Sequence, residues 1–272
     1  MTTATAATPL NTLLLTGAGG TLGRLLAAPL RAICKRLLLS DLAGPLAALG
    51  AADALACDLA DGAAVRALLR GVDAVVHLGG VSVEGPFEPI LQANIRGLHN
   101  LYEAARRQGV RRIVFASSNH VTGCYEQSRR IGPQDPPRPD GNYGLSKLFG
   151  EGIASLYWDR FGIETVCLRI GTALPSPPDG RALSTWLSNG DLARLVIAAL
   201  TAPSVGFLVA YGVSDNPRGW WDTQAAWARL GFVPQDSAEA WAAQVQDIRF
   251  PADTPMARLQ GGSFLGVGPF DD

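Results

Sequence analysis

The chain is poor in the residues that build metal sites, disulfide frameworks and membrane spans. In 272 residues it carries four cysteines, Cys34, Cys57, Cys124 and Cys167, and three histidines. No two cysteines form a CxxC pair and no histidine cluster accompanies them, so neither a zinc site nor a disulfide framework is indicated. They read as small hydrophobes of a reducing compartment, the cytoplasm. No apolar run reaches the about 18 residues of a membrane span, so no membrane partner is expected. An excess of charge of one sign is missing too: 23 Lys and Arg stand against 24 Asp and Glu, a net −1. Without a basic stripe, nucleic acid is not an expected partner. The opening residues, rich in Thr and Ala, lack a positive region ahead of an apolar stretch. They read as a disordered lead over residues 1–11, not as a signal peptide.

What is present is a core. Apolar residues make up 47% of the chain, and its length suits one large α/β unit with a smaller lobe. Apolar strands are expected at 12–16, 36–40, 54–57, 72–78, 112–116 and 164–169. Helical patterns lie between them at 22–33, 62–70, 89–108 and 144–161. Continuous apolar strands alternating with helices predict a doubly wound parallel sheet covered on both faces. Two proline-rich loops, 132–141 and 174–180, interrupt the pattern on the edge where such sheets bind ligands, and their stiffness suits a pocket wall. Beyond residue 190 a helix at 190–201, a strand at 206–211 and helices at 221–230 and 237–246 suggest a smaller lobe. The division is thus a core over 12–170 and a lobe, integrated with it, over 171–272. Core packing is the default role of the six tryptophans, most of which lie in the C-terminal part.

The run Leu13-Leu14-Leu15-Thr16-Gly17-Ala18-Gly19-Gly20-Thr21-Leu22-Gly23 carries the most information. A strand turns through glycines into a helix. Gly17 permits the tight turn, Gly20 lets backbone approach a pyrophosphate, and Gly23 lets helix pack on strand. Phosphates would sit on the free N–H groups of that helix, among Thr21 and Leu22. Asp41 ends the second strand at the distance where such folds place a carboxylate on the adenosine ribose. That carboxylate favours NAD over NADP, and no Arg or Lys follows it until Arg66. Asp58-Leu59 is placed to hold adenine, and Leu78-Gly79-Gly80 to line the middle of the cofactor.

Tyr143 and Lys147 stand four apart, on one face of a helix. A lysine cation beside a phenol favours the phenolate, which makes Tyr143 a workable general base. The strand 113–116 runs into Ser117-Ser118-Asn119-His120, where a hydroxyl could hold the oxygen that Tyr143 deprotonates. His77, inside an apolar strand, reads as a satisfied core residue, and His99 as structural or exposed.

On these residues the chain resembles the extended short-chain dehydrogenase/reductase family. Closer segments, among them 77–84, 115–120, 138–147, 181–186 and 219–222, resemble its bacterial uronate dehydrogenases along nearly the whole length. The resemblance implies a Rossmann sheet with a small C-terminal substrate-binding lobe and NAD as cofactor. The implied reaction is oxidation of C1 of D-glucuronate or D-galacturonate to an aldaric acid lactone. It implies Tyr143 as base with Ser118 and Lys147 assisting, and further cofactor contacts at Asn94 and Ile170. No metal is required, since the cofactor accepts the electrons. The substrate carboxylate needs a cation, for which Arg181 is the candidate, its planar fork suiting two bonds. Ser82, Asn119, His120 and Thr172 are candidates for the sugar hydroxyls. Thr172 replaces a usual Ser but keeps the hydroxyl, while Cys124-Tyr125 stands where Tyr-Tyr is usual and leaves that wall open. Helices 89–108 and 144–161 resemble those that pair subunits, so a homo-oligomer is expected. Two other readings share these features. One is a sugar-nucleotide epimerase or dehydratase that retains its NAD, although the C-terminal part is short for a nucleotide. The other is a non-catalytic NAD-sensing regulator, although such proteins often lose the Tyr or Lys kept here.

Overall fold

In the computed structural model, which describes residues 10–51 and 54–270, the first apolar run forms β1 (Leu10–Thr16). The expected lead is corrected at its end, because residues 10 and 11 already belong to β1, where Leu10 pairs with Cys34. Residues 1–9 lie outside the described residues. The chain continues through α1 (Thr21–Arg31), β2 (Cys34–Asp41), α2 (Ala43–Ala47), β3 (Ala54–Ala56), α3 (Gly62–Leu68) and β4 (Ala74–His77). The second half-turn of the winding gives α4 (Phe87–Ile90), α5 (Gly97–Gln108), β5 (Arg112–Ser118), α6 (Asn142–Phe161) and β6 (Glu164–Ile170). A short side ladder pairs β7 (Thr172–Ala173) with β8 (Trp186–Leu187), on either side of α7 (Ala182–Thr185). Then come α8 (Asn189–Thr201), β9 (Phe207–Gly212) and α9 (Gln224–Leu230).

Seven strands form one parallel sheet in the order β3-β2-β1-β4-β5-β6-β9. Side chains alternate across it, as the strand repeat requires. Leu13 and Leu15 join the layer of α1 and α8, while Leu14 joins that of α3, α5 and α6. The direction of winding reverses between β1 and β4, which opens a crevice at their C-terminal ends. The sheet does not end at residue 170, where the sequence division placed the core boundary. Its seventh strand and the helix α8 lie beyond it, because β9 pairs with β6 from Thr165 to Ile170.

Two expected helices are broken. The pattern over 89–108 contains a widened π turn, Leu91–Arg96, between α4 and α5. It turns Asn94 inward, where the side chain accepts from Val81 N at 2.8 Å and donates to Val81 O and the Ser146 hydroxyl, both at 2.9 Å. The pattern over 237–246 divides into a 3₁₀ turn, Ala238–Trp241, and a turn of α-helix, Ala242–Val245. The tail then returns to the loop between β5 and α6: Leu259 bridges to Glu126, and Gln260 N donates to Tyr125 O at 2.8 Å.

The turn after β1 is built by close backbone approach. Gly17 has φ +70°, and a Cβ there would stand 2.8 Å from Gly79 N. A Cβ on Gly23 would stand 2.7 Å from Ala18 Cα, backbone that cannot swing aside. Gly23→Ala is therefore expected to lower the unfolding free energy by about 1–3 kcal/mol, read from urea unfolding. An unchanged midpoint would mean that α1 can slide off the strand.

Candidate active site

A cleft of about 800 Å³ opens along the C-terminal ends of the strands at the reversal point. The glycine turn forms one end, with Gly17, Gly20, Thr21, Leu22 and Gly23 on its wall. Helix α1 begins there with no side-chain cap and no acidic residue in its first turn, which leaves its N–H groups to a ligand. A Cβ on Gly20 would meet only Gly17 O, at 3.3 Å, so this glycine faces open space. The cradle suits a pyrophosphate. Asp41 ends β2 in the same wall, its carboxylate accepting from Gly19 N at 2.9 Å and Leu42 N at 2.8 Å. A carboxylate has about four acceptor sites, so both oxygens keep capacity.

Leu78, Gly79, Gly80 and Ser82 line the middle of the cleft after β4. Behind them stand three candidates that do not reach the lining. Asp58 accepts from Ala60 N within its own turn at 2.9 Å. Leu59 packs behind Gly79, where a Cβ would meet its Cδ1 at 2.9 Å. Asn94 is spent on Val81 and Ser146. Of the proline-rich loops, 174–180 supplies Leu174, Pro178 and Asp179 to the wall, while 132–141 supplies none. Cys124 and Tyr125 also stay out of the lining, and their Sγ and hydroxyl donate to Pro139 O and Pro136 O.

The far end of the cleft gathers Ser118, Asn119 and His120 from β5 and the turn after it, Tyr143 and Lys147 from α6, and Ile170, Thr172 and Arg181. Helix α6 starts where the Glu84 carboxylate accepts from Asn142 N at 2.9 Å and Tyr143 N at 3.0 Å. One helical turn apart on its inner face follow Tyr143, Lys147 and Glu151, all buried. Glu151 accepts from Arg169 Nε and Nη2 at 2.8 Å each and from the Ser117 hydroxyl at 2.7 Å. That pair fixes α6 against β5 and β6.

Burial pushes the Tyr143 phenol up to about 12; a hydrogen bond from Ser118 opposes this, and the Asp140 carboxylate adds to it. The pairing with Lys147 that the sequence suggests does not lower it in this arrangement. The Lys147 ammonium lies 5.4 Å from the centre of the Tyr143 ring and 5.1 Å from that of Phe115. Its own pKa falls to about 8 through burial, so it remains a cation at neutral pH. Asn119 Nδ2 is buried with no hydrogen-bond partner among the described residues. Arg181 is pushed down to about 10 by burial and makes no ion pair among the described residues. Its Nε donates to Gln260 O at 3.0 Å, Nη2 donates to the same carbonyl, and Nη1 reaches the Thr172 hydroxyl at 3.5 Å. The guanidinium is thus a held cation that keeps N–H groups free at the cleft.

Sequence reasoning missed the C-terminal strap. Gly261, Ser263 and Phe264 line the cleft, and Phe264 stacks on His120 at 3.9 Å between centroids. Gln260, fully buried, anchors it by accepting from Trp221 Nε1 at 2.8 Å and donating to Glu126 O and Arg129 O. No motif marks these residues, and they lie far along the chain from the rest of the site.

The family model described as NAD dependent epimerase/dehydratase family matches residues 13–189. A uronate dehydrogenase of Pseudomonas syringae pv. tomato is 53% identical over 270 residues, 98% of either chain. Two solved structures superpose with a TM-score of 0.90. One is a glucuronic acid dehydrogenase from Chromohalobacter salexigens, 48% identical over 95% of this chain and 98% of that one. The other is a uronate dehydrogenase from Agrobacterium tumefaciens complexed with NAD, 46% identical over 97% of this chain and 100% of that one.

At the reversal point itself, the Thr16 hydroxyl bonds His77 Nδ1 at 2.7 Å. Burial, and then the Lys147 charge, hold the His77 imidazole down to about 3, against 6.5 ordinarily. The native ring is neutral, whereas the unfolded chain takes up a proton below about pH 6.5. Its contribution is whole above that pH and falls by up to about 1.4 kcal/mol per pH unit towards 3. His77→Gln is expected to flatten this acid limb in urea unfolding between about pH 4 and 7. An equal slope in both proteins would place the titration elsewhere.

Proposed function

The chain belongs to the NAD dependent epimerase/dehydratase family and, within it, to the uronate dehydrogenases, and on that footing we propose that it oxidises the C1 hydroxyl of a hexuronic acid with NAD. D-glucuronate and D-galacturonate are the substrates, and an aldaric acid lactone is the product. The observation that carries the substrate class is Arg181. A half-buried guanidinium without an ion-pair partner among the described residues, oriented by the Gln260 carbonyl at the open cleft, is a site for a carboxylate.

When bound, NAD supplies the hydride acceptor. The uncapped start of α1 and Gly20 would take its pyrophosphate, and Asp41 its adenosine ribose. Tyr143 takes the proton of the C1 hydroxyl. Because its pKa lies at about 12, the phenol is a strong base once deprotonated, and the work of the site is to favour the phenolate. Ser118 does so by hydrogen bonding, while Lys147, cationic at neutral pH, would hold the nicotinamide ribose. Ser82, Asn119, His120 and Thr172 offer hydrogen bonds to the sugar, and the orphaned Asn119 amide needs one. Four free cysteines accord with a reducing cytoplasm. Exposed Leu145, Phe149, Leu156 and Phe161 along α6 accord with self-association.

Tyr143→Phe keeps the ring and removes the base. Turnover is expected to fall about 10²–10⁴-fold with the affinity for NAD retained, measured by NADH formation and by titration. Near-normal turnover would assign the base elsewhere. For the carboxylate, kcat/KM is compared between a uronate and its neutral aldose. Arg181→Ala is expected to cost about 2–5 kcal/mol on the acid alone, and Arg181→Lys to restore part of it. Equal losses on both sugars would show that Arg181 only shapes the loop.

A further inference from the structure

His120 is held on three sides. Its Nδ1 lies 2.7 Å from Asp140 Oδ2, its face is stacked on Phe264 with the rings 11° apart, and its edge meets Tyr143 with the centroids 5.8 Å apart. The imidazole therefore cannot turn over without losing the Asp140 bond and disturbing the Phe264 stack. An ionised carboxylate can only accept, so the proton of a neutral ring stands on Nδ1. Nε2 makes no hydrogen bond among the described residues, while His120 lines the cleft.

Asp140 is an unusual tenant of this position. Its side chain has no exposure, its Oδ1 has no partner among the described residues, and no Lys or Arg among them is in hydrogen-bond contact with it. Three glycines from separate segments make room for it. A side chain on Gly123 or Gly261 would collide with its carboxylate, and one on Gly144 would stand 3.0 Å from Oδ1. The other groups that feel its charge are Tyr143, Cys124 and Arg181, and on Tyr143 the effect opposes the phenolate. The one hydrogen bond that the Asp140 carboxylate makes among the described residues is the one to His120.

We infer that Asp140 is a positioning residue that fixes the His120 proton on Nδ1, so that Nε2 meets the sugar purely as a hydrogen-bond acceptor. The inference rests on the hexuronate reading and deepens it: this corner of the cleft selects a substrate hydroxyl able to donate. Deoxy or fluorinated analogues lacking that donor leave Nε2 unpaired and bind worse.

With three histidines in the chain, ¹⁵N NMR can resolve each ring. The spectra are recorded well alkaline of the ordinary imidazole range, about 6.5, so that neutral tautomers are read. The wild-type His120 is expected to show a protonated Nδ1 and a bare Nε2. Asp140→Asn, whose amide can donate as well as accept, is expected to move protonation towards Nε2. In the same variant the KM for glucuronate and galacturonate is expected to rise about tenfold, the worth of one hydrogen bond, with the affinity for NAD little changed and kcat not lowered, since loss of the Asp140 charge eases the Tyr143 phenolate. A wild-type ring protonated on Nε2 would overturn the inference, and that measurement needs no variant. So would an Asp140→Asn protein with unchanged KM, or one whose kcat and KM deteriorate together with NAD affinity. Should the wild-type protein oxidise no uronate at all, the hexuronate reading fails, while the ring spectrum still tests what Asp140 does to His120.

Discussion

The ion pair between Glu151 and Arg169 is the contact on which the geometry of the site depends. Both members are buried, one on α6 and the other on β6, and they meet through two parallel bonds of 2.8 Å. The Ser117 hydroxyl joins the same carboxylate, and Tyr211 closes the network on the other side of the guanidinium. A pair of this kind gains little over well-packed apolar residues, and losing one partner is costly, so its value lies in fixing one arrangement. The arrangement it fixes is the rotation of α6. Because Tyr143 and Lys147 stand on the same face as Glu151, the pin that holds the third residue also aims the other two.

Around this pin the cleft collects charges that its protein surroundings leave short of partners. Lys147 rests against two aromatic rings, Arg181 against one carbonyl, and Asp140 against one imidazole. Burial pushes Lys147 and Arg181 towards their neutral forms without reaching neutral pH. Such groups are stabilised when an anion or a polar ligand completes them. A dinucleotide and a sugar acid together bring the charges and hydroxyl groups that the site is short of.

Much of the architecture was legible because it rests on local rules. The apolar runs at 12–16 and 164–169 are strands in the structure, and the glycine turn at 17–23 is as tight as its spacing suggests. Misjudged elements were those where a side chain with a distant partner overrides the local pattern. The helix over 89–108 opens into a π turn because Asn94 bonds to Val81 and Ser146. No sign in the sequence marks residue 10 as the start of the strand, because Leu10 and Asn11 acquire strand character only by lying against β2. The strap from Leu259 to Gly266 was not found at all. Gln260 and Phe264 have no spacing relative to Tyr143 or Arg181 that a reader of the chain could use.

The sequence by itself determined the parallel α/β sheet, the tight glycine turn and the kinds of side chain brought to the cleft, because these follow from periodicities and spacings within a few dozen residues. Only the tertiary structure decided how those side chains are tuned. It put the Tyr143 phenol up at about 12, where proximity to Lys147 in sequence suggested a lower value. It turned Arg181 towards the cleft by way of the Gln260 carbonyl, 79 residues away, and locked His120 between Asp140 and Phe264. The reason is physical: desolvation and hydrogen-bond geometry depend on everything that surrounds a group, and most of what surrounds these groups comes from distant parts of the chain.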